Sequence, residues 1–198
     1  HLSIRRQRQM CIRDRHIFTH TVEADRPIDI EFIGNSEGSI DIDSNGSVYL
    51  AGPVTNPTGT TRISTTESIV QTGAGAVVTG QRVELTAGTG IGSKTTPITT
   101  DISEEIDASL RAATVAGQVY IDERFGDLRI DEVSTGSGAN AGVTSQGSMY
   151  VAGGYEGLVK GGAITLTAGA AVGSSADPVI LDAGVLPADK LNITAGDD

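Results

Sequence analysis

Two stretches of this chain carry residue types at spacings that could do chemistry. Asp41-Ile42-Asp43-Ser44-Asn45-Gly46 matches the opening of a calcium loop, D-x-D-x-N-G, in which alternate carboxylates converge on a hard cation and glycine permits the sharp turn. It offers Asp41, Asp43 and Asn45 as metal ligands, with calcium as the cofactor of a stabilised extracellular module. The twelfth position, where such a loop supplies a bidentate glutamate, holds Gly52. Strand alternation accounts for the same residues without a metal, with Ile40 and Ile42 inward, Asp41 and Asp43 outward, and Ser44-Asn45-Gly46 turning the chain.

The second stretch, from Asp122 to Glu132, is the densest group of charges. Asp122, Asp127, Arg129 and Asp131 supply the types that a polysaccharide lyase or hydrolase needs, an arginine to neutralise a uronate and a carboxylate to take its proton. Alternation, however, puts Arg129 and Asp131 on one solvated face of mixed sign, as surface charges usually are. Only Tyr120 and Phe125 accompany them as platforms for a sugar. With no recognisable catalytic motif, the reading is of a protein that is not an enzyme.

Other candidates fall away on spacing. His16 and His20 lie beside a suspect terminus, and no Ser-His-Asp set can be assembled. The glycines of Gly73-Ala74-Gly75 and Gly88-Thr89-Gly90-Ile91-Gly92 are followed by no helix with a phosphate-reading lysine, so they are turn glycines. Tyr49, Tyr120 and Tyr150 each occupy the middle of an inward-outward-inward triplet, which predicts that all three face out as a stacked ladder or a contact surface. Asn192-Ile193-Thr194 fits a glycosylation sequon and equally continues a strand.

The elements that must position these residues are short strands. Ile28–Phe32, Ile40–Asp43, Val83–Thr86 and Leu128–Asp131 alternate apolar and polar residues, and Val48–Leu50, Val119–Ile121, Met149–Val151, Ile164–Leu166 and Leu191–Ile193 do the same over three. Gly, Asn, Ser and Asp clusters separate them. At Ser103–Leu110 a helical turn competes, but Gly117 follows too closely for a full helix, and Leu110–Thr114 reads as strand.

The strands repeat over a long period. Leu85-Thr86-Ala87-Gly88, Gly92-Ser93, Pro97 and Asp101 recur 81 positions later as Leu166-Thr167-Ala168-Gly169, Gly173-Ser174, Pro178 and Asp182. A second pair, Gly46–Gly52 and Gly147–Gly153, lies 101 positions apart, which reads as a 20-residue insertion in a loop outside the stack. The recurring glycines, serines and prolines are expected to turn the chain between faces, with Asp101 and Asp182 placed in turns. Such a repeat favours an all-β fold, a parallel β-helix of about seven coils of some 25 residues, over the alternative antiparallel β-sandwich, which need not repeat its own sequence.

Composition agrees. Twenty-six glycines, no tryptophan and 4% aromatic residues among 198 residues exclude a large aromatic core. Residues 1–16 stand apart: they hold five arginines and the lone cysteine, Cys11, and Arg8–Arg15 resembles translated sequencing-adaptor read-through rather than a native basic arm. Five of the 14 basic residues and one of the 25 acidic residues lie there, so residues 17–198 carry a formal charge of −15. That charge argues against nucleic acid as a partner. No apolar stretch approaches the roughly 20 residues of a transmembrane segment. The chain reads as a fragment open at both ends, whose terminal coils need covering by the rest of a parent chain.

The text Leu85-Thr86-Ala87-Gly88, Gly90-Ile91-Gly92-Ser93, Pro97, Asp101, then Leu110-Arg111-Ala112, Gly117-Gln118-Val119-Tyr120-Ile121 and Asp127–Ile130 resembles large bacterial exoproteins of the filamentous-haemagglutinin type. The likeness covers about residues 46–195. It implies a right-handed parallel β-helix, secreted or on the bacterial cell surface. Its role would be that of an adhesin repeat or rigid stalk, meeting a host or neighbouring cell surface and its glycans. The family has no catalytic residue to carry over. The chain departs from it in lacking the amino-terminal secretion domain and carboxy-terminal barrel such proteins use, which leaves the export route open.

Overall fold

The computed structural model describes residues 17–20, 28–32, 38–136, 138–183 and 191–196. Residues 1–16 lie outside them. Among the described residues there is no helix, and so none long and apolar enough to cross a membrane.

Numbered in chain order, the strands form two sheets. The nine-stranded sheet holds β1 (Ile17–His20), β3 (Ser39–Ser44), β5 (Thr60–Thr65), β8 (Arg82–Ala87), β11 (Ser109–Thr114), β13 (Leu128–Ser134), β15 (Met149–Val151), β16 (Leu158–Lys160) and β18 (Ile180–Asp182). The ten-stranded sheet holds β2 (Ile28–Phe32), β4 (Val48–Val54), β6 (Ser68–Gln71), β7 (Val78–Gly80), β9 (Gly90–Ile91), β10 (Ile98–Ile102), β12 (Val119–Glu123), β14 (Ala141–Ser145), β17 (Ile164–Ala168) and β19 (Leu191–Ala195). Every pairing between these strands is parallel. The chain is thus a parallel β-helix of about seven turns, and the sandwich alternative is excluded. Coil length varies with the corners and excursions: Leu110 pairs with Ile130, 20 residues on, and Leu85 with Ala112, 27 on.

Alternation works as the sequence implies, because inward residues stack in register from coil to coil. One column runs Ile42, Ile63, Leu85, Ala112, Val133, Val159 and Leu181 up the nine-stranded sheet. Another runs Ile121, Val143, Leu166 and Ile193 up the ten-stranded one. Ile63, Leu85, Ala112, Val133 and Val159 are fully buried, and each aliphatic larger than alanine contributes about 1.5–3 kcal/mol by leaving water. Thr61, between Ile40 and Val83 in the neighbouring column, is also fully buried, and its hydroxyl donates to the Thr79 carbonyl at 2.8 Å. A polar residue fits inside because β7 of the opposite sheet supplies an acceptor.

The repeat proves to be half a coil. β8 carries Leu85 in the nine-stranded sheet, whereas β17 carries its counterpart Leu166 in the ten-stranded sheet. After each, a glycine crosses to the opposite face. A β-carbon on Gly88 would sit 1.8 Å from the Thr66 carbonyl oxygen of the preceding coil, and one on Gly169 would sit 1.8 Å from that of Gln146. Then comes the same excursion. Gly92 and Gly173 take positive φ of 59° and 69°, Ser93 N–H donates to Thr96 O at 2.9 Å, and Ser174 N–H donates to Asp177 O at 3.1 Å. Thr96 N–H and Asp177 N–H each return a 3.0 Å bond to the serine hydroxyl oxygen.

Three expectations are corrected here. The Gly-Ser…Pro turn does not carry the chain between faces, since β9 and β10 on either side of Gly92–Pro97 both lie in the ten-stranded sheet. The crossing is made by Gly88 and Gly169, the only residue type that fits over the carbonyl beneath. Asp101 and Asp182 are strand residues of β10 and β18, not turn residues. Finally, the 20-residue difference between Gly46–Gly52 and Gly147–Gly153 is no loop insertion. It is taken up by a whole coil inside the stack, β5 followed by β6 and β7, because β4 lies in one sheet and β15 in the other.

Candidate functional site: the outer faces of the two sheets

With the interior filled by stacked side chains, chemistry is left to the outward positions. On the nine-stranded sheet these stack as Asp41, Arg62, Glu84, Arg111 and Glu132, alternating in sign on successive coils. Arg62 donates to Asp41 Oδ1 at 3.1 Å and to Glu84 Oε2 at 2.9 Å, and Arg111 to Glu132 Oε2 at 3.0 Å. The hydrogen bond and charge of Glu84 raise the Arg62 pKa further above its ordinary value. In another column of the sheet Lys160 and Asp182 pair at 3.5 Å. Strand stacking aligns like positions, so opposite charges at consecutive rungs form a ladder that no local sequence window displays.

This ladder engages the first of the calcium candidates. Asp41 through Ser44 are extended in β3, so Asp41 and Asp43 stand about 7 Å apart along the strand instead of wrapping around an ion. The Asp41 carboxylate faces the Arg62 guanidinium. Asn45 lies at the corner, where its carbonyl accepts from Thr66 Oγ1 at 2.6 Å. The Ser44 hydroxyl closes that corner by donating to the Gly46 carbonyl at 2.7 Å. Among the described residues no group of three acids, histidines or cysteines is placed to hold a metal ion.

The lyase candidates are split between faces. Asp122 points out of β12 in the ten-stranded sheet, while Arg129 and Asp131 point out of β13 in the nine-stranded one. Asp127 sits at the corner between them and accepts from the Ser148 backbone N–H at 2.7 Å. Arg129 lies over the Tyr150 ring, 5.6 Å from its centre. Burial pushes the Asp131 carboxyl up, with Arg111 opposing. The tyrosines are divided in the same way and build no ladder. Tyr150 is on the nine-stranded sheet, Tyr49 and Tyr120 on the other, and Tyr49 is followed in its column by Val70 and Tyr120 by Gly142.

The ten-stranded sheet has a quieter exterior. Its column Thr99, Asp122, Thr144, Thr167 and Thr194 is mostly hydroxyl. One acid there is hidden. Glu123 is fully buried, accepts from Thr100 Oγ1 at 2.7 Å and from Ile102 N–H at 3.0 Å, and is pushed up to about 7 by desolvation, against those two bonds. The sequence held the signal for it: in Val119-Tyr120-Ile121-Asp122-Glu123, the alternation that buries Val119 and Ile121 also turns Glu123 inward. Alternation likewise puts Thr100, its partner, between Ile98 and Ile102.

No protein-family model, curated protein or solved structure matches the chain.

Proposed function

We propose that the chain is a mechanical element, a rod-like section of a large secreted or surface-exposed bacterial protein that serves as an adhesin repeat or stalk and catalyses nothing. One observation carries this reading. The half-coil module from Leu85 to Asp101 is reused from Leu166 to Asp182 with the two faces exchanged, and its recurring residues, the strand residues Asp101 and Asp182 apart, pack the interior, cross the corner or close the excursion. Evolutionary reuse of that kind preserves a stack, not a reaction centre. The likeness of its motifs to haemagglutinin-type exoproteins supports export, and the polar outer faces supply the contact area for a host or neighbouring cell surface and its glycans.

Beads coated with the protein should adhere to epithelial or bacterial cells more than beads carrying an unrelated β-helix. Equal adherence would remove the adhesin role and leave the stalk. Incubation with uronate polymers should yield no ultraviolet-absorbing unsaturated product, and accumulation of such a product would overturn the non-catalytic reading.

A further inference from the structure

The nine-stranded sheet carries a second outward column beside the charge ladder, and its arginines are treated differently. Arg82 pairs in register with Ser109 of the next coil. Leu110 pairs with Ile130, which sets Arg129 on the rung beyond Ser109, and Arg129 pairs with Tyr150. With rungs about 4.8 Å apart, the two arginines bracket the serine. Arg62 and Arg111 of the same sheet are bound to carboxylates, whereas Arg82 and Arg129 join no salt bridge among the described residues.

Each of these two guanidiniums instead lies over an aromatic ring, Arg82 at 5.9 Å from the centre of Tyr155 and Arg129 at 5.6 Å from that of Tyr150. Stacking on a ring fixes the plane of a guanidinium while leaving its N–H donors unused. Both Nε atoms and the Ser109 hydroxyl are buried without a hydrogen-bond partner, three of the four such side-chain atoms among the described residues. Buried donors without an acceptor are rare in folded proteins. The Asp131 carboxyl is near enough to feel the charge of Arg82, yet it bonds to neither arginine, and Arg111 beside it is held by Glu132.

We propose that Arg82, Ser109 and Arg129 form a binding site for an oxyanion, a carboxylate, sulfate or phosphate group of a ligand, on the outside of the nine-stranded sheet. Two planar forks with a hydroxyl between them match an oxyanion's several lone pairs. The site stands apart from the stalk reading, since a rod without it would still be a rod.

The test is the side-chain Nε–Hε nuclear magnetic resonance spectrum of the ¹⁵N-arginine-labelled protein. Sodium sulfate, sodium phosphate and sodium galacturonate are titrated in separate arms at constant ionic strength. The signals of Arg82 and Arg129, assigned with R82K and R129K, should shift saturably in at least one arm, and the tightest arm names the ligand class. R82Q or R129Q should weaken that binding by about tenfold or more, whereas R62Q, on the paired ladder, should leave it within about twofold. Ser109→Ala keeps both charges and serves if an arginine variant fails to fold; it should weaken binding about threefold or more. Linear, unsaturated shifts in all three arms, or an equal loss with R62Q, would overturn the proposal.

Discussion

The inside and the outside of this β-helix obey different rules, and the two sheets make the difference visible. Inward, the nine-stranded and ten-stranded sheets are interchangeable: Leu85 on one and Leu166 on the other sit in the same motif, after which Gly88 and Gly169 cross the same kind of corner. Outward, they diverge. The nine-stranded sheet presents Asp41, Arg62, Glu84, Arg111 and Glu132 in alternating sign, and the ten-stranded sheet presents mostly threonine. Stacking and corner geometry constrain only inward and corner positions, so a module can be moved to the opposite face provided those are kept. Surface positions are then free to carry whatever each face must meet.

The largest expected effect tests the interchangeability. Gly88→Ala and Gly169→Ala each force a β-carbon against a carbonyl oxygen 1.8 Å away, and each should cost about 3 kcal/mol or more, read from urea-unfolding midpoints. A marked difference between them would mean that the two sheets do not use the module alike. Next, Leu85→Ala and Leu166→Ala, both fully buried, should each lose about 2–5 kcal/mol.

Glu123 gives an asymmetry of pH. Its folded pKa of about 7 lies above the 4.5 of an ordinary glutamate, so the folded state holds a proton that the unfolded state has released between those values. The contribution of Glu123 to stability should therefore be full below pH 4.5, fall as pH rises toward 7, and level off above, by a total on the order of 3 kcal/mol. Glu123→Gln retains an acceptor for Ile102 N–H, should flatten that dependence, and should be more stable than the parent at pH 8. Thermal melts across pH decide it. An unchanged slope in the variant would remove Glu123 as the source.

The smallest effect belongs to the outside. Arg62→Ala removes both links of the ladder to Asp41 and Glu84, yet Arg62 is 51% exposed, and the loss should stay under about 1 kcal/mol. A larger loss would show the ladder to be part of the scaffold.

Several strands escaped a reading by pattern, for a physical reason. β5, Thr60-Thr61-Arg62-Ile63-Ser64-Thr65, has one aliphatic, and its buried Thr61 and Thr65 are satisfied by the carbonyls of Thr79 and Gly46. β9 is two residues long and exists because Ile91 finds Ile69 and Val119 on either side. Neither bond nor neighbour is local. The Arg82, Ser109 and Arg129 column was equally hidden, since its members are 27 and 20 residues apart and meet only through the register of three coils.

The sequence by itself determined that the chain is built of period-two strands and which residues of each strand face inward, and its long repeat favoured parallel stacking. The first two follow from alternation, a local property. Tertiary structure alone decided which sheet each strand joins, that an 81-residue repeat exchanges the faces, that 20 extra residues make a full coil, and which charges meet. Those depend on how many residues close each turn, a quantity set by the whole circuit of corner, strand and excursion, and no window shorter than a coil contains it.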